Sequence, residues 1–165
     1  MADSPTVDFT GILQALLSNQ VDFVVVGGVS AVLNGAPIST FDLDIVHSRA
    51  PDNIERLLQA LEELNARYRQ RPNQRPDRGH LSSSGHQLLS TRSGPLDVLG
   101  TIGRGLGYEE LVTCSVEHEV SGEMKIRVLN LDTLIEIKEE LDSEKDRAVL
   151  PILRRALKTI QDSNK

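Results

Sequence analysis

The chain has 165 residues and a mass of 18.2 kDa, enough to bury a core as one domain, and its 39% hydrophobic and 25% charged content excludes a disordered protein. A formal net charge of -6 argues against affinity built mainly on neutralising phosphates, and 3% aromatics with no Trp argues against a base-stacking platform. Cys114 is the single cysteine, which excludes an internal disulfide and a cysteine-rich zinc site.

No basic-then-apolar leader opens the sequence and no apolar run reaches membrane-spanning length. The expectation is a cytoplasmic protein with no membrane partner, forming one domain over 1–165. Phe9, Ile12, Leu13, Leu16 and Leu17 recur at helical spacing, which predicts a helix over 7–20. "FVVV" at 23–26 predicts a short buried strand ended by Gly27 and Gly28. A short helix opens at Val29 and Ser30 and is stopped by Gly35 and Pro37.

Residues 39–47, "STFDLDIVH", read as a second strand, with Phe41, Leu43 and Ile45 on its core side and Thr40, Asp42 and Asp44 on the other. An amphipathic helix follows over 48–68, with Ile54, Leu57, Leu58, Leu61 and Leu64 on one stripe. Residues 70–85 are polar and rich in Pro, Gly and Ser, and predict a mobile surface loop. Two hairpins come next, one over 86–100 around Ser93-Gly94-Pro95 and one over 111–130 turning at Ser121-Gly122-Glu123. Cys114, in the apolar run "LVTCSV", reads as a buried, inert thiol. A helical segment over 131–163 closes the chain, with Pro151 kinking it or dividing it in two. The fold class is α/β (α+β), a small mixed sheet flanked by helices.

The chemistry concentrates in three carboxylates. Asp42 and Asp44 lie two residues apart on one strand face, about 7 Å at Cα, where like charges raise each other's pKa unless a cation separates them. A hard divalent ion such as Mg²⁺, held by one or two carboxylates and substrate phosphates, resolves that conflict. Taken alone, the pair is more simply an amphipathic strand with solvated aspartates. Two features tilt the balance. Gly27 and Gly28 let backbone approach a ligand closely at a helix start, where free N–H groups attract phosphate and Ser30 adds a hydroxyl donor. Asp97 is a lone carboxylate in an apolar strand, on the face opposite Leu96 and Val98. Three acids beside a phosphate-binding turn fit a two-metal site, one ion activating a hydroxyl and one holding a triphosphate. No dinucleotide or Walker phosphate loop is present.

In this order of motifs the sequence resembles the nucleotidyltransferase superfamily, the fold shared by DNA polymerase beta and kanamycin nucleotidyltransferase: a glycine turn (Gly27, Gly28, Ser30), then Asp-x-Asp (Asp42, Asp44), then a third acid (Asp97). It is most similar to the small AbiEii-like branch of abortive-infection and toxin–antitoxin systems, through "GG", "T-x-D-x-D" beginning at Thr40, and a helical "K…KD" ending at Lys145 and Asp146. The resemblance covers roughly 20–150. It implies an Mg²⁺- or Mn²⁺-dependent transfer of a nucleotidyl group from an NTP, ATP among them, to an acceptor hydroxyl on tRNA or protein, and a cognate antitoxin as partner. Asp42 and Asp44 would ligate both metals, and Asp97 would complete the nucleophile-side metal and help deprotonate the acceptor. Gly27, Gly28, Ser30 and Thr40 would bind the nucleotide. Lys138 and Lys145, seven residues apart, would face its phosphates, with Asp146 orienting Lys145; a solvated face with Lys138 paired to Asp142 is an equal reading for Lys138 and the plainer one for Lys145.

Two departures stand out. Ile38 and Ser39 occupy the stretch where related sequences carry a basic residue, and the chain ends soon after the "KD" helix. Both fit a catalytically silent binding or regulatory partner, and aminoglycoside modification is a third reading. His47, His80 and His118 read as surface or packing residues, and His86 as a minor site candidate beside the Asp97 strand. Arg67, Arg69, Arg71, Arg75 and Arg78 form a basic cluster, either a solubilising loop or a local patch facing RNA or nucleotide.

Overall fold

A computed structural model describes residues 8–164. The first helix, α1 (Phe9–Ser18), is capped by Asp8, whose carboxylate accepts from the Gly11 amide at 3.0 Å. Val7, placed in this helix from the sequence, lies outside the described residues, and the helix stops before Gln20, which is left-handed at φ 58°. The fully buried strand β1 (Phe23–Val26) runs straight into α2 (Gly27–Leu33), so the glycines form the first turn of the helix rather than a separate loop.

Strand β2 (Leu43–His47) is shorter than the sequence suggests. Its antiparallel partner β1 ends at Val26, opposite Asp44, because the chain coils into α2 there and leaves Thr40 to Asp42 nothing to pair with. The Thr40 hydroxyl instead donates to the Asp42 carbonyl at 3.2 Å. Phe41 is consequently 75% exposed and not a core residue.

Beyond β2 come α3 (Pro51–Glu63), the two-residue β3 (Arg67–Tyr68), α4 (Arg78–Ser82) and the hairpin β4 (His86–Thr91) and β5 (Gly94–Leu99). The polar stretch expected to be mobile holds α4: Asp77 accepts from the His80 amide at 2.9 Å, and Leu81 is buried. One apolar side chain and an aspartate cap suffice to order a segment whose composition reads as loop.

Next are α5 (Tyr108–Val112), β6 (Ser115–Val120) and β7 (Met124–Leu129). Leu111 and Val112 belong to α5, not to the second hairpin, because the Glu110 carboxylate accepts from the Gly107 amide at 3.0 Å and starts a helix there. Cys114 therefore lies between α5 and β6, half-buried, rather than inside a buried strand. The turn joining β6 and β7 matches expectation, with Ser121 and Gly122 both left-handed at φ 48° and 88°.

The C-terminal segment is two helices, α6 (Leu131–Leu141) and α7 (Glu144–Ser163), but Pro151 does not divide them; it lies within α7. The break falls at Asp142, left-handed at φ 47°, and at Ser143, which caps α7 by accepting from the Asp146 amide at 3.0 Å. A left-handed residue followed by a cap ends the ladder outright, whereas an internal proline removes one hydrogen bond from it.

The seven strands form one mixed sheet in the order β3-β4-β5-β2-β1-β7-β6. β2 with β5 and β1 with β7 are parallel; the other neighbours are antiparallel. One face carries Val25, Leu43, Ile45, Leu89, Leu96 and Val98 into a core with α1, α3 and α4. On the other face Val24, Val26, Val46, Leu99 and Leu129 pack under α5, α6 and α7, with Ala31 of α2 at the margin. That second cluster takes nothing from β3 or β4, so this face is bare at the β3 end: His86, Leu88 and Ser90 are exposed, while Gln87 and Leu89 behind them are buried. Among the described residues no helix is long and apolar enough to cross a membrane.

Candidate functional site

The alternation of strand side chains builds the site. In the parallel pair β2/β5 the register matches Leu43 with Leu96, Asp44 with Asp97, and Ile45 with Val98. The leucines, Ile45 and Val98 enter the apolar core, so Asp44 and Asp97 must emerge side by side on the opposite face. Asp42, in the loop before β2, completes the group: each of the three acids offers a carboxylate oxygen within 4.8 Å of the others.

Burial, the neighbouring Asp97 and the charge of Asp42 push the Asp44 carboxyl up to about 7, with Lys145 acting in the opposite direction. Its Oδ1 is buried and accepts no hydrogen bond from any described residue. A buried oxygen without a donor, flanked by two further carboxylates, fits a hard cation with oxygen ligands.

The glycines are required for close approach. Gly27 has φ +67°, and a Cβ there would run into the Asp44 carboxylate. At Gly28 a Cβ would lie 2.7 Å from Thr40 Oγ1. Asp42 and Asp44 line a cavity of about 410 Å³ together with Gly27, Gly28, Thr40, Lys138 and Lys145. Residues from α2, the loop before β2, α6 and α7 thus meet around one space. Ile38 and Ser39 also line it, so the stretch before Thr40 brings no basic residue to the cavity.

Ser30 is brought to the neighbourhood but not into the cavity. It is fully buried, and its hydroxyl donates to the Gly27 carbonyl at 2.6 Å, which stabilises the first turn of α2. Asp146 orients Lys138 and not Lys145: the Lys138 ammonium donates to it at 3.0 Å, and Asp142 pairs with Arg147. Burial alone would raise the Asp146 carboxyl, but donation from the Ser143 hydroxyl and Lys138 holds it below the ordinary carboxylate range. His86 shares the sheet face of the acids but does not line the cavity; its Nε2 is 2.9 Å from the Thr101 carbonyl. His47 is buried, and burial pushes its imidazole below its ordinary pKa.

Arg69 was not singled out by sequence as part of the acid site. Its guanidinium donates to Asp97 at 2.6 Å and to the Leu89 carbonyl at 2.9 Å. The pair spans 28 residues and exists because β3 pairs with β4, which places Arg69 over the Asp97 side of the sheet. The available signal was local: Arg67 and Arg69 alternate with Tyr68, which is buried on the opposite face. The rest of the basic cluster disperses, with Arg78 paired to Glu55 and Arg71 lying over the Tyr68 ring at 5.3 Å.

No protein-family profile and no curated protein matches the sequence. Among solved structures the chain is similar to a Thermotoga maritima protein assigned as a nucleotidyltransferase, with a TM-score of 0.55, 20% identity, and coverage of 91% of this chain and 90% of that one. The similarity runs through nearly the whole of both chains, and the mixed seven-stranded sheet flanked by helices is a nucleotidyltransferase fold.

Proposed function

We propose that this protein is a metal-dependent nucleotidyltransferase that moves a nucleotidyl group from an NTP to an acceptor hydroxyl. The observation that carries the reading is the register of β2 and β5, which sets Asp44 beside Asp97 and, with Asp42, beside a cavity walled by a glycine turn and two lysines. Asp42, Asp44 and Asp97 would hold Mg²⁺ or Mn²⁺. Bound there, a divalent cation supplies charge neutralisation at the triphosphate and a lowered pKa for the acceptor hydroxyl.

The chain's own residues supply the rest. Lys138, steadied by Asp146, and Lys145 reach the cavity from α6 and α7 and face the β- and γ-phosphates. Gly27 and Gly28 admit the phosphates close to the start of α2, and Thr40 lines the same cavity. Asp97 takes the proton from the acceptor hydroxyl. The acceptor oxygen then bonds to the α-phosphorus as the bond to the bridging oxygen breaks, and pyrophosphate leaves. The motif order supports assigning the chain to the AbiEii-like branch, as a single-domain cytoplasmic toxin with a cognate antitoxin. Incubation with α-labelled NTPs, Mg²⁺ or Mn²⁺, and tRNA or protein acceptors is expected to label the acceptor. Absence of label, together with absence of an NTP-induced thermal shift, overturns the reading.

A second reading, a silent member of the fold acting as a binding partner, draws support from the uncharged Ile38 and Ser39 in the cavity wall. Cellular function that survives replacement of Asp42 and Asp44 by Asn would favour it.

A further inference from the structure

The acids have a second neighbour besides the nucleotide cavity. Where the sheet face is bare, β3, β4 and the turn into β5 surround a separate recess of about 240 Å³, whose lining includes Arg67, Arg69, Ser90 and Arg92. Charge is distributed very unevenly here. Between Leu64 and Leu96 the chain carries six arginines and a single carboxylate, Asp77, although the protein as a whole has a net charge of -6. Arg67 and Arg92 pair with no carboxylate among the described residues; Arg67 contacts only the Pro72 carbonyl and the Asn65 side chain, both at 3.4 Å. Arg67 and Arg92, two guanidinium groups of one recess without a carboxylate partner among the described residues, make a local anion site that the overall charge conceals.

Arg69 links the recess to the acids: it lines the recess and at the same time donates to Asp97. The strand register puts Arg67 level with Ser90, and Leu88 level with Asp97, so these side chains share the uncovered face and lead from the recess to the third acid. Asp97 itself is recessed, its side chain 14% exposed, which favours a hydroxyl carried on a narrow chain.

We propose that this face is the acceptor platform and that the acceptor is a single-stranded polynucleotide end: a backbone phosphate sits between Arg67 and Arg92, and the terminal hydroxyl points at Asp97. Only the fate of that hydroxyl rests on the transferase reading; the phosphate site stands on its own. Binding of a fluorescent 12-nucleotide single-stranded RNA, followed by anisotropy in EDTA without NTP, tests it. Affinity is expected to fall steeply with salt. The double variant Arg67→Ala/Arg92→Ala is expected to weaken binding about tenfold at low salt and to flatten the logarithmic salt slope by about 0.7 per lost contact. Arg92→Glu alone, at an exposed turn, is expected to weaken it as well, and Arg154→Ala/Arg155→Ala on α7 to leave it unchanged. No RNA binding at low salt, equal binding by the recess variants, or equally tight binding of polyglutamate overturns the proposal. RNA binding with neither label transfer nor an NTP-induced thermal shift overturns the transferase reading and leaves the platform in place. Transfer to a non-nucleic acceptor that is indifferent to Arg67 and Arg92 does the reverse.

Discussion

The two faces of β2 and β5 differ as sharply as any regions of this molecule, although they are built from alternate residues of the same two strands. Behind them, Leu43, Ile45, Leu96 and Val98 are sealed under α1, α3 and α4. In front, Asp42, Asp44 and Asp97 repel one another at the point where the covering helices end. The apolar seal lies behind, and the crowded carboxylates, relieved only in part by Arg69 on Asp97, lie in front. A change in front should therefore move chemistry and stability in opposite directions, and a change behind should move stability alone.

The largest separation is expected for Asp44→Asn. Losing a buried ligand oxygen should lower nucleotidyl transfer about a thousandfold, or about 4 kcal/mol of transition-state stabilisation. The metal-free protein should instead gain stability at pH 8, with Tm up by about 4 °C in a thermal melt, because the crowded charge is gone. The mirror experiment is Leu96→Ala, one residue from Asp97 but fully buried. It should cost about 3 kcal/mol and about 9 °C in Tm while leaving NTP affinity per folded molecule unchanged.

A smaller effect should follow from pH. The folded Asp44 carboxyl is raised to about 7 from 3.8, so the folded protein binds the extra proton. That contribution is complete below about pH 4 and lost as pH rises through 7. Urea titrations of the metal-free protein should show this loss, and Asp44→Asn should abolish it. Stabilisation by Mg²⁺ should grow over the same interval, because the ion displaces that proton. His47 acts with the opposite sign: its lowered pKa means that stability declines as pH falls below 6.5.

The least effect is expected at Glu55→Gln. The Arg78 guanidinium holds Glu55 below the ordinary carboxylate range, yet the pair is exposed, and Tm should not measurably change.

The sequence made one side of this contrast more legible than the other. Asp42, Asp44 and Asp97 could be found because each is a carboxylate set among apolar strand residues, a local signal. Their meeting could not, since it depends on pairing strands 53 residues apart in register. Arg69 escaped for the same reason: alternation about Tyr68 gives its face, but only the pairing of β3 with β4 and β4 with β5 brings that face to Asp97. Boundaries failed where competing local bonds decided them, as at Asp142 instead of Pro151, and at Glu110, whose carboxylate turns an apolar run into a helix. Ser30 was recognised as polar at the right place, but its hydroxyl bonds the backbone beneath it.

The matched pairing of Asp44 with Asp97 also bears on how the chain avoids misassembly. If β5 slid by one position against β2, Asp97 would turn into the oily interior among Leu43 and Ile45, and Leu96 would be stranded in water. The wrong alignment is thus penalised twice. These two aspartates, whatever they bind, act as a proofreading device for the sheet.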